Sequence, residues 1–387
     1  MRIIVGDALT ELKKLPSESV HCCVTSPPYF GLRDYRVEGQ IGLEASLDDY
    51  LDKLVAVFRE VRRVLREDGT CWVNIGDSYA SGMRSAYDDD RHKYRTARAH
   101  DRRPPTPVGL KPKDLCLVPF RLALALQADG WWVRSDIVWN KRNLLPESVT
   151  DRPTKSREYI FMLAKAQRYF YDQEAIREAM SGASIERYKY DFGGAKNQHL
   201  KDTDNPMAVV GIPSPTVRGR NARSVWTIAT QPRPENFYAA FPDELARRCI
   251  LAGSPQKCCP ICGAPWERMV ERKSVYDHTT TAPGKSKDGP YAGQTGDGAG
   301  THDIRHGVYS ARQDRGFRPT CSCHGNDGSG KAVVLDPFLG RGTTLIVAAR
   351  YGRDGIGIEL NPEYAAMAQR NLDDELRQPW LVDRATM

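Results

Sequence analysis

The chain has 387 residues, enough for one large domain with insertions or for two domains. Its formal net charge of +7 is compatible with a polyanionic partner, although basic proteins without one are common. No apolar run reaches membrane length and no signal-peptide pattern precedes the first strand, so the sequence predicts a cytoplasmic protein. Ten cysteines in such a chain favour thiols or metal ligands over disulfides.

Strand and helix patterns alternate at the start of the chain. Residues 2–5 read as a short apolar strand, and after a helical stretch residues 20–24 read as the second strand. Residues 46–66 have apolar side chains at helical spacing, with Ser46 as N-cap, and residues 70–75 read as the third strand. This alternation predicts a parallel sheet with crossover helices.

The second strand runs into the sequence Thr25-Ser26-Pro27-Pro28-Tyr29. Two consecutive prolines cannot continue a β-ladder, so the strand ends there and a rigid turn begins at its carboxyl end. Open α/β sheets bind their ligands at that edge. Hydroxyl and carbonyl oxygens of the turn can accept hydrogen bonds from the exocyclic amino group of a planar base, and Tyr29 can stack on its ring.

Residues 84–113 interrupt the pattern with nine Lys and Arg residues and four prolines. Such a stretch is either a solvated loop or an arm that contacts a phosphate backbone, and charge alone does not decide between the two. Residues 117–129 then read as a helix, and residues 131–140 and 158–163 read as strands. Residues 165–231 are irregular, before a helical pattern returns at 236–253.

A last strand–helix–strand unit contains a glycine loop. Residues 332–335 read as a strand, followed by Asp336-Pro337-Phe338-Leu339-Gly340-Arg341-Gly342-Thr343-Thr344, a helix and a strand at 355–358. Glycines at such a place allow a ligand to approach the backbone closely. A dinucleotide fingerprint requires a third glycine where Leu345 stands, which disfavours a nicotinamide cofactor. Glu359 follows the last strand and is either a ribose-binding carboxylate or a helix cap.

The insert at residues 258–330 contains two cysteine pairs, one near each end. The pairs are Cys259 with Cys262 and Cys321 with Cys323. The first pair has the Cys-x-x-Cys spacing of structural zinc sites, whereas a single residue separates the second pair. Cys258 and His324 are alternative ligands, and four unliganded thiols are the competing interpretation. A zinc ion would close an insert that is too polar to fold alone and that reads as flexible over residues 274–318.

The Ser26–Tyr29 turn and the Asp336–Thr344 loop resemble the catalytic motif and the S-adenosylmethionine loop of the DNA amino-methyltransferases, which methylate cytosine N4 or adenine N6. Catalytic motif first and cofactor loop last is the order of the family's β group. The resemblance implies an α/β fold with a permuted Rossmann-like class I methyltransferase sheet, a recognition region and a small zinc-bound insert. It implies S-adenosyl-L-methionine as cofactor and double-stranded DNA as partner. A homodimer and an accompanying restriction endonuclease stay open.

The resemblance also divides the chain and assigns residue roles. The catalytic half would span 1–164, the recognition region 165–235, and the cofactor-binding half 236–257 and 331–387, with the insert at 258–330 between its two parts. The implied catalytic residues are Ser26, Pro27, Pro28 and Tyr29. The implied cofactor-binding residues are Asp7, Asp336, Phe338, Gly340, Gly342, Thr343, Thr344 and Glu359. The predicted DNA contacts are Phe30, Arg102, Arg103, Lys141 and Arg152.

Ser26 favours cytosine N4 as the target, because serine at this place is the commoner choice of the cytosine enzymes in the family. Adenine N6 methylation is the nearest alternative. Cytosine C5 methylation needs a cysteine nucleophile, and we reject it because Cys22 and Cys23 lie inside the strand before the turn. Methylation of protein or RNA, for which the motif order is usually reversed, and a non-enzymatic zinc DNA-binding module are more distant alternatives.

Overall fold

The structure is a computed structural model that describes residues 1–32, 34–80, 106–143, 147–179, 220–231, 241–276 and 308–377. The strands in this part of the chain are β1 (Arg2–Val5), β2 (Val20–Thr25), β3 (Leu65–Ile75), β4 (Trp132–Lys141), β5 (Arg157–Ala164), β6 (Val225–Ile228), β7 (Trp266–Tyr276), β8 (Val308–Pro319), β9 (Val333–Asp336) and β10 (Asp354–Glu359). The α-helices are α1 (Ala8–Lys13), α2 (Leu47–Val64), α3 (Val118–Ala128), α4 (Asp243–Gly253), α5 (Thr343–Arg350) and α6 (Pro362–Leu376). None of these helices has the length and apolarity that a membrane crossing requires.

Eight strands form one sheet in the order β1-β10-β9-β2-β3-β5-β4-β6. Neighbouring strands are parallel, except that β5 runs antiparallel to both β3 and β4. The predicted α/β fold with a mostly parallel sheet is confirmed. Parallel neighbours share one carboxyl edge, so the residues that follow β2, β3, β9 and β10 lie along the same side of the molecule.

Strands from opposite ends of the chain meet near the centre of the sheet. Cys22 and Cys23 of β2 pair with Val334 and Leu335 of β9. Every residue of β2 is buried, as expected for a central strand that is covered on both faces. The permuted order therefore places the turn after β2 beside the loop after β9.

Helix α2 shows how the sequence specifies these elements. Ser46 caps the helix by accepting a hydrogen bond from the backbone N–H of Asp49 at 3.0 Å. The predicted apolar stripe is buried, with Leu54, Phe58 and Val61 fully excluded from solvent. The strand that follows is longer than predicted, because the Asp-Gly pair that reads as a turn lies inside an irregular stretch of the β2–β3 pairing.

The described residues fall into two compact units. The first comprises residues 1–176, 223–267 and 319–387 and includes the whole eight-stranded sheet. The second comprises residues 177–222 and 268–318, so it draws on both the predicted recognition region and the predicted insert. The expectation of a flexible stretch over 274–318 is wrong at its end, where β8 forms a strand paired with β7. The four-part division of the chain stays a prediction.

Gly253, the last residue of α4, provides a test of this packing. Its carbonyl accepts a hydrogen bond from Thr70 Oγ1 at 3.2 Å, and an added Cβ would lie 2.4 Å from Trp72 Nε1. We predict that Gly253→Ala lowers the free energy of unfolding by about 2 kcal/mol, because buried neighbours must shift. Helix propensity alone would instead stabilise the variant by up to about 1 kcal/mol. Urea denaturation that shows a gain in stability would therefore contradict the packing described for Gly253.

Candidate active site

A pocket opens at the carboxyl edge of the sheet in the first unit, and residues from both ends of the chain line it. The Ser26–Tyr29 turn forms part of the lining, together with Asp336, Phe338, Gly340 and Thr343 of the glycine loop. Asp7 and Glu359 complete the predicted set found there, and Gly342 and Thr344 stand behind the pocket wall. The lining further includes residues that were not predicted, among them Leu32, Tyr35, Val37, Gly39, Gln40, Ile41, Phe241 and Tyr364.

Asp336 joins the two halves of the pocket. Its Oδ1 accepts a hydrogen bond from Thr25 Oγ1 at 2.6 Å and another from the backbone N–H of Phe338 at 3.1 Å. Its Oδ2 accepts a hydrogen bond from Thr344 Oγ1 at 2.7 Å. Burial raises the pKa of Asp336 from 3.8 to about 6, although these hydrogen bonds oppose the shift. Thr344 therefore acts on the pocket through Asp336.

The glycine loop has a conformation that favours glycine at two positions. Gly340 and Gly342 both have positive φ angles, of 55° and 93°. At Gly342 an added Cβ would also lie 3.2 Å from Ala368 Cβ on α6. Thr343 follows as the first residue of α5, and its Oγ1 is buried without a hydrogen-bond partner among the described residues. A bound ligand could satisfy this hydroxyl at the helix N-terminus.

Glu359 and Asp7 hold backbone groups around the pocket. Glu359 accepts hydrogen bonds from the N–H groups of Gly340 at 2.7 Å and Asn361 at 2.9 Å, and burial raises its pKa. Each carboxylate oxygen keeps a further lone pair, so this capping role leaves room for ribose hydroxyls. Asp7 caps α1 by accepting a hydrogen bond from the backbone N–H of Thr10 at 2.8 Å. Asp7 therefore caps a helix and also lines the pocket.

The turn after β2 is fixed from several sides. Tyr50 on α2 donates a hydrogen bond to the carbonyl of Pro28 at 2.8 Å. Tyr29 is among the residues that line the pocket, and it donates its hydroxyl hydrogen to Glu158 Oε2 at 2.7 Å. Burial and the neighbouring Glu158 carboxylate raise the pKa of Tyr29 well above its ordinary value, so the phenol is neutral.

Sequence reasoning missed two residues beside this turn, Asn74 and Glu158. Asn74 Nδ2 lies 3.4 Å from Ser26 Oγ and 3.0 Å from Tyr29 Oη. Its place near the carboxyl end of β3 was a usable signal, because β3 was predicted to be parallel to β2. Glu158 could not be found in this way, since it stands at the beginning of β5 and reaches this edge only because β5 is reversed.

Three of the predicted DNA contacts have other partners in the structure. Phe30 is 3% exposed and packs against the ring of Tyr50 with centroids 5.3 Å apart, so it cannot stack on a base and its assignment was wrong. Lys141 forms an ion pair with Glu158, and its contact with DNA stays a prediction. Arg152 likewise pairs with Glu147 at 2.9 Å. Arg102 and Arg103 lie outside the described residues, and their phosphate contacts stay a prediction.

The four predicted metal-ligating cysteines come together. The Sγ atoms of Cys259, Cys262, Cys321 and Cys323 all lie within 4.8 Å of one another. None of the ten cysteines forms a disulfide bond. The two alternative ligands, Cys258 and His324, are not members of this cluster. Four thiols at such short distances form a candidate metal site.

His21 connects the cysteine cluster to the sheet. The backbone N–H of Val333 donates to His21 Nδ1 at 3.0 Å, so Nε2 carries the proton and donates to the carbonyl of Gly263 at 2.8 Å. The Sγ of Cys258 lies 3.5 Å from the same nitrogen, which explains why it points away from the cluster. The loop after Cys262 is therefore held against the first residues of both β2 and β9.

The chain belongs to the DNA methylase family of the N6/N4 type, whose family model matches residues 20–257 and 326–370. It is 40% identical to the type II methyltransferase M.SmaI of Serratia marcescens, over 96% of this chain and 90% of that protein. It is also 40% identical to M.Cfr9I of Citrobacter freundii, over 96% of this chain and 87% of the relative. These matches confirm the resemblance to amino-methyltransferases on which the residue roles were based.

A solved structure supports the fold. The PvuII DNA methyltransferase, described as cytosine-N4-specific, superimposes with a TM-score of 0.50 and 15% sequence identity, covering 99% of this chain and 90% of that one. At this identity the likeness concerns the fold alone. It agrees with the mostly parallel sheet seen here.

The raised pKa of Asp336 predicts how its substitution changes stability with pH. Between about pH 4 and pH 6 the folded protein keeps a proton that the unfolded chain has already lost, so Asp336 makes the protein less stable as the pH rises through this window. Asp336→Asn cannot ionise. We predict that the unfolding free energy of the variant, measured relative to that of wild type, is higher at pH 7.5 than at pH 4 by up to roughly 3 kcal/mol. Urea denaturation showing the same difference at both pH values would contradict this.

Proposed function

We propose that the protein transfers a methyl group from S-adenosylmethionine to the exocyclic amino group of a base flipped out of double-stranded DNA, with cytosine N4 as the favoured target. The proposal places this activity in the cytoplasm. The observation that carries it is the joining of the Ser26–Tyr29 turn and the glycine loop in one pocket through the Thr25–Asp336 hydrogen bond. A homodimer and an accompanying restriction endonuclease stay predictions.

The proposed cofactor cradle uses the chemistry of the glycine-loop side. Asp336 suits the ammonium group of the methionine, since a carboxylate oxygen with one hydrogen bond can accept another. Glu359 suits the ribose hydroxyls, and Thr343 Oγ1 offers a buried polar partner. Gly340 and Gly342 allow close backbone approach. Asp7 and Phe338 would then lie near the adenine.

The proposed base site uses the opposite side. S-adenosylmethionine would supply a methyl group made electrophilic by its sulfonium. Ser26 Oγ and the Pro27 carbonyl would accept the hydrogens of the amino group, whose lone pair is otherwise delocalised into the ring. These hydrogen bonds favour a pyramidal nitrogen with its lone pair directed at the methyl group. Tyr29 would stack on the ring and offset part of the cost of flipping, which is roughly a few kcal/mol.

Two bases fit this chemistry. Cytosine N4 is favoured because Ser26 occupies the place where the cytosine enzymes of the family commonly carry serine. Adenine N6 presents the same amino group beside a ring nitrogen acceptor, so it is the alternative. A non-enzymatic zinc module would not need the turn, the loop and Glu359 in one pocket.

Nucleoside mass spectrometry of unmethylated bacterial DNA, incubated with the protein and S-adenosylmethionine, tests this proposal. We expect N4-methylcytosine. Detection of N6-methyladenine would identify adenine as the target base, and the absence of any methylated nucleoside would contradict the proposed function.

Glu359→Ala should weaken cofactor binding about tenfold or more in calorimetry, because buried ribose hydroxyls lose a charged acceptor. The control is Glu363→Ala, an exposed carboxylate in the first turn of α6, which should bind normally. Equal affinity of both variants would remove Glu359 from the site.

We also propose that Cys259, Cys262, Cys321 and Cys323 hold one structural zinc ion. The support is the closeness of their four Sγ atoms, within 4.8 Å of one another. Four thiolates would close the coordination sphere and leave no position for a catalytic water. The ion would then stabilise the segment that His21 holds against the sheet.

Elemental analysis tests the zinc proposal. We predict about one zinc per chain, lost in a Cys259→Ser/Cys262→Ser variant because two of four ligands are removed. Cys258→Ala is the matched control, since the structure directs that thiol at His21, and it should keep its zinc. Metal-free wild-type protein, or zinc loss in the control alone, would contradict the assignment.

A further inference from the structure

A polar network lies behind the base site. Glu158 Oε2 accepts hydrogen bonds from Tyr29 Oη at 2.7 Å and from Asn74 Nδ2 at 3.0 Å. The other oxygen of Glu158 forms an ion pair with Lys141. The side chains of Glu158 and Lys141 are 12% and 22% exposed, so the pair is largely shielded from water. One carboxylate thus contacts a stacking residue, an amide and a counter-ion.

The reversal of β5 puts this carboxylate in place. Tyr159 of β5 pairs with Ile75 at the end of β3, and Glu158 pairs with Trp139 of β4. Because β5 is antiparallel, its first residues reach the edge where the parallel strands end. Lys141 ends β4 at the same edge, and its Nζ lies 4.8 Å from the ring centroid of Trp139.

Glu158 sets the orientation of the Tyr29 ring. Tyr29 lines the pocket, and the hydroxyl at the far end of its ring is bound to Glu158. Gly76 makes room for this ring, since an added Cβ would lie 2.6 Å from Tyr29 Cε2. A ring anchored at its hydroxyl and confined at its edge offers one fixed stacking face.

Glu158 also sets the orientation of the Asn74 amide. A carboxylate is only an acceptor, so Asn74 must turn Nδ2 toward it. The same Nδ2 is the group that lies 3.4 Å from Ser26 Oγ, and Asn74 is 3% exposed. With its amide held this way, Asn74 directs an Nδ2 hydrogen at Ser26 Oγ. The serine keeps its second lone pair and its hydroxyl hydrogen for contacts with a base.

We propose that Glu158 is a positioning residue for methyl transfer, acting through Tyr29 and Asn74, with Lys141 as its counter-ion. This inference rests on the proposed function of the Ser26–Tyr29 turn. Glu158 does not line the pocket, so it should affect the orientation of the base and leave cofactor binding alone. In Glu158→Gln the glutamine must turn its amide oxygen to Lys141, which can only donate. Its Nε2 then faces Asn74 Nδ2, and because both groups are donors the hydrogen bond that orients the Asn74 amide is lost.

A double-mutant cycle in the full-length protein tests this inference. Tyr29→Phe keeps the stacking ring and removes only its anchor, and Glu158→Gln removes the charged acceptor. Each should lower kcat for methyl transfer to DNA on the order of tenfold, because a hydrogen bond to a charged group is lost. The double variant should be no slower than Glu158→Gln within about twofold, because both changes break the same contact. The affinity for S-adenosylmethionine should stay within about twofold of wild type in all three.

The outcomes separate this inference from a merely structural role. Glu375→Gln is the matched control, because Glu375 is also a buried carboxylate, paired with Arg350 at 2.6 Å. It should keep wild-type kcat even where its melting temperature falls. Wild-type kcat in Tyr29→Phe and Glu158→Gln, or a double variant slowed by the product of the two single effects, would overturn the positioning role. Wild-type protein that methylates no DNA would instead defeat the proposed function itself.

Discussion

The buried carboxyl group of Asp336 is the contact on which the site depends. It accepts hydrogen bonds from Thr344 at the start of α5 and from Thr25 at the end of β2, which is 311 positions away from Asp336 in the chain. Burying a carboxyl group is costly unless its oxygens are hydrogen-bonded, and here two hydroxyls and one backbone N–H supply the partners. The hydroxyl of Thr344 also lies 3.1 Å from the Val24 carbonyl. These contacts connect the glycine loop to the end of β2, directly before the turn.

The same two strands are joined again at their other end. His21 accepts a hydrogen bond from Val333 and lies against Gly263, next to the cysteine cluster. Strands β2 and β9 are thus fixed near both ends, by an imidazole at the start and by a carboxyl group at the finish. A metal bound by the neighbouring cluster would make the first of these two contacts more rigid.

The sequence alone was enough to predict the two ends of the site. A strand that runs into two prolines must stop, and a glycine loop after a strand must turn, so Ser26 and Asp336 could both be placed at strand ends. The cysteine cluster was predictable for a similar reason, since two close pairs of thiols have a preferred chemistry.

The contacts of individual side chains were harder to predict. Phe30 follows Tyr29 in the chain, yet it packs against Tyr50 in the core, because consecutive residues of a turn face different directions. Lys141 and Arg152 were predicted as DNA contacts from a sequence that shows a charge without its partner, and the structure pairs them with Glu158 and Glu147. Finding Glu158 required the direction of β5, which neither hydrophobic pattern nor spacing specifies.

The central claim is that the turn after β2 and the loop after β9 form one site for S-adenosylmethionine. Amide hydrogen exchange with and without that cofactor tests it most directly, because it follows both ends of the chain in one experiment. The account predicts slower exchange in peptides that cover residues 26–32 and in peptides that cover residues 336–344, with no change in β3 away from its carboxyl end. Protection confined to one end of the chain, or absent from both, would contradict it.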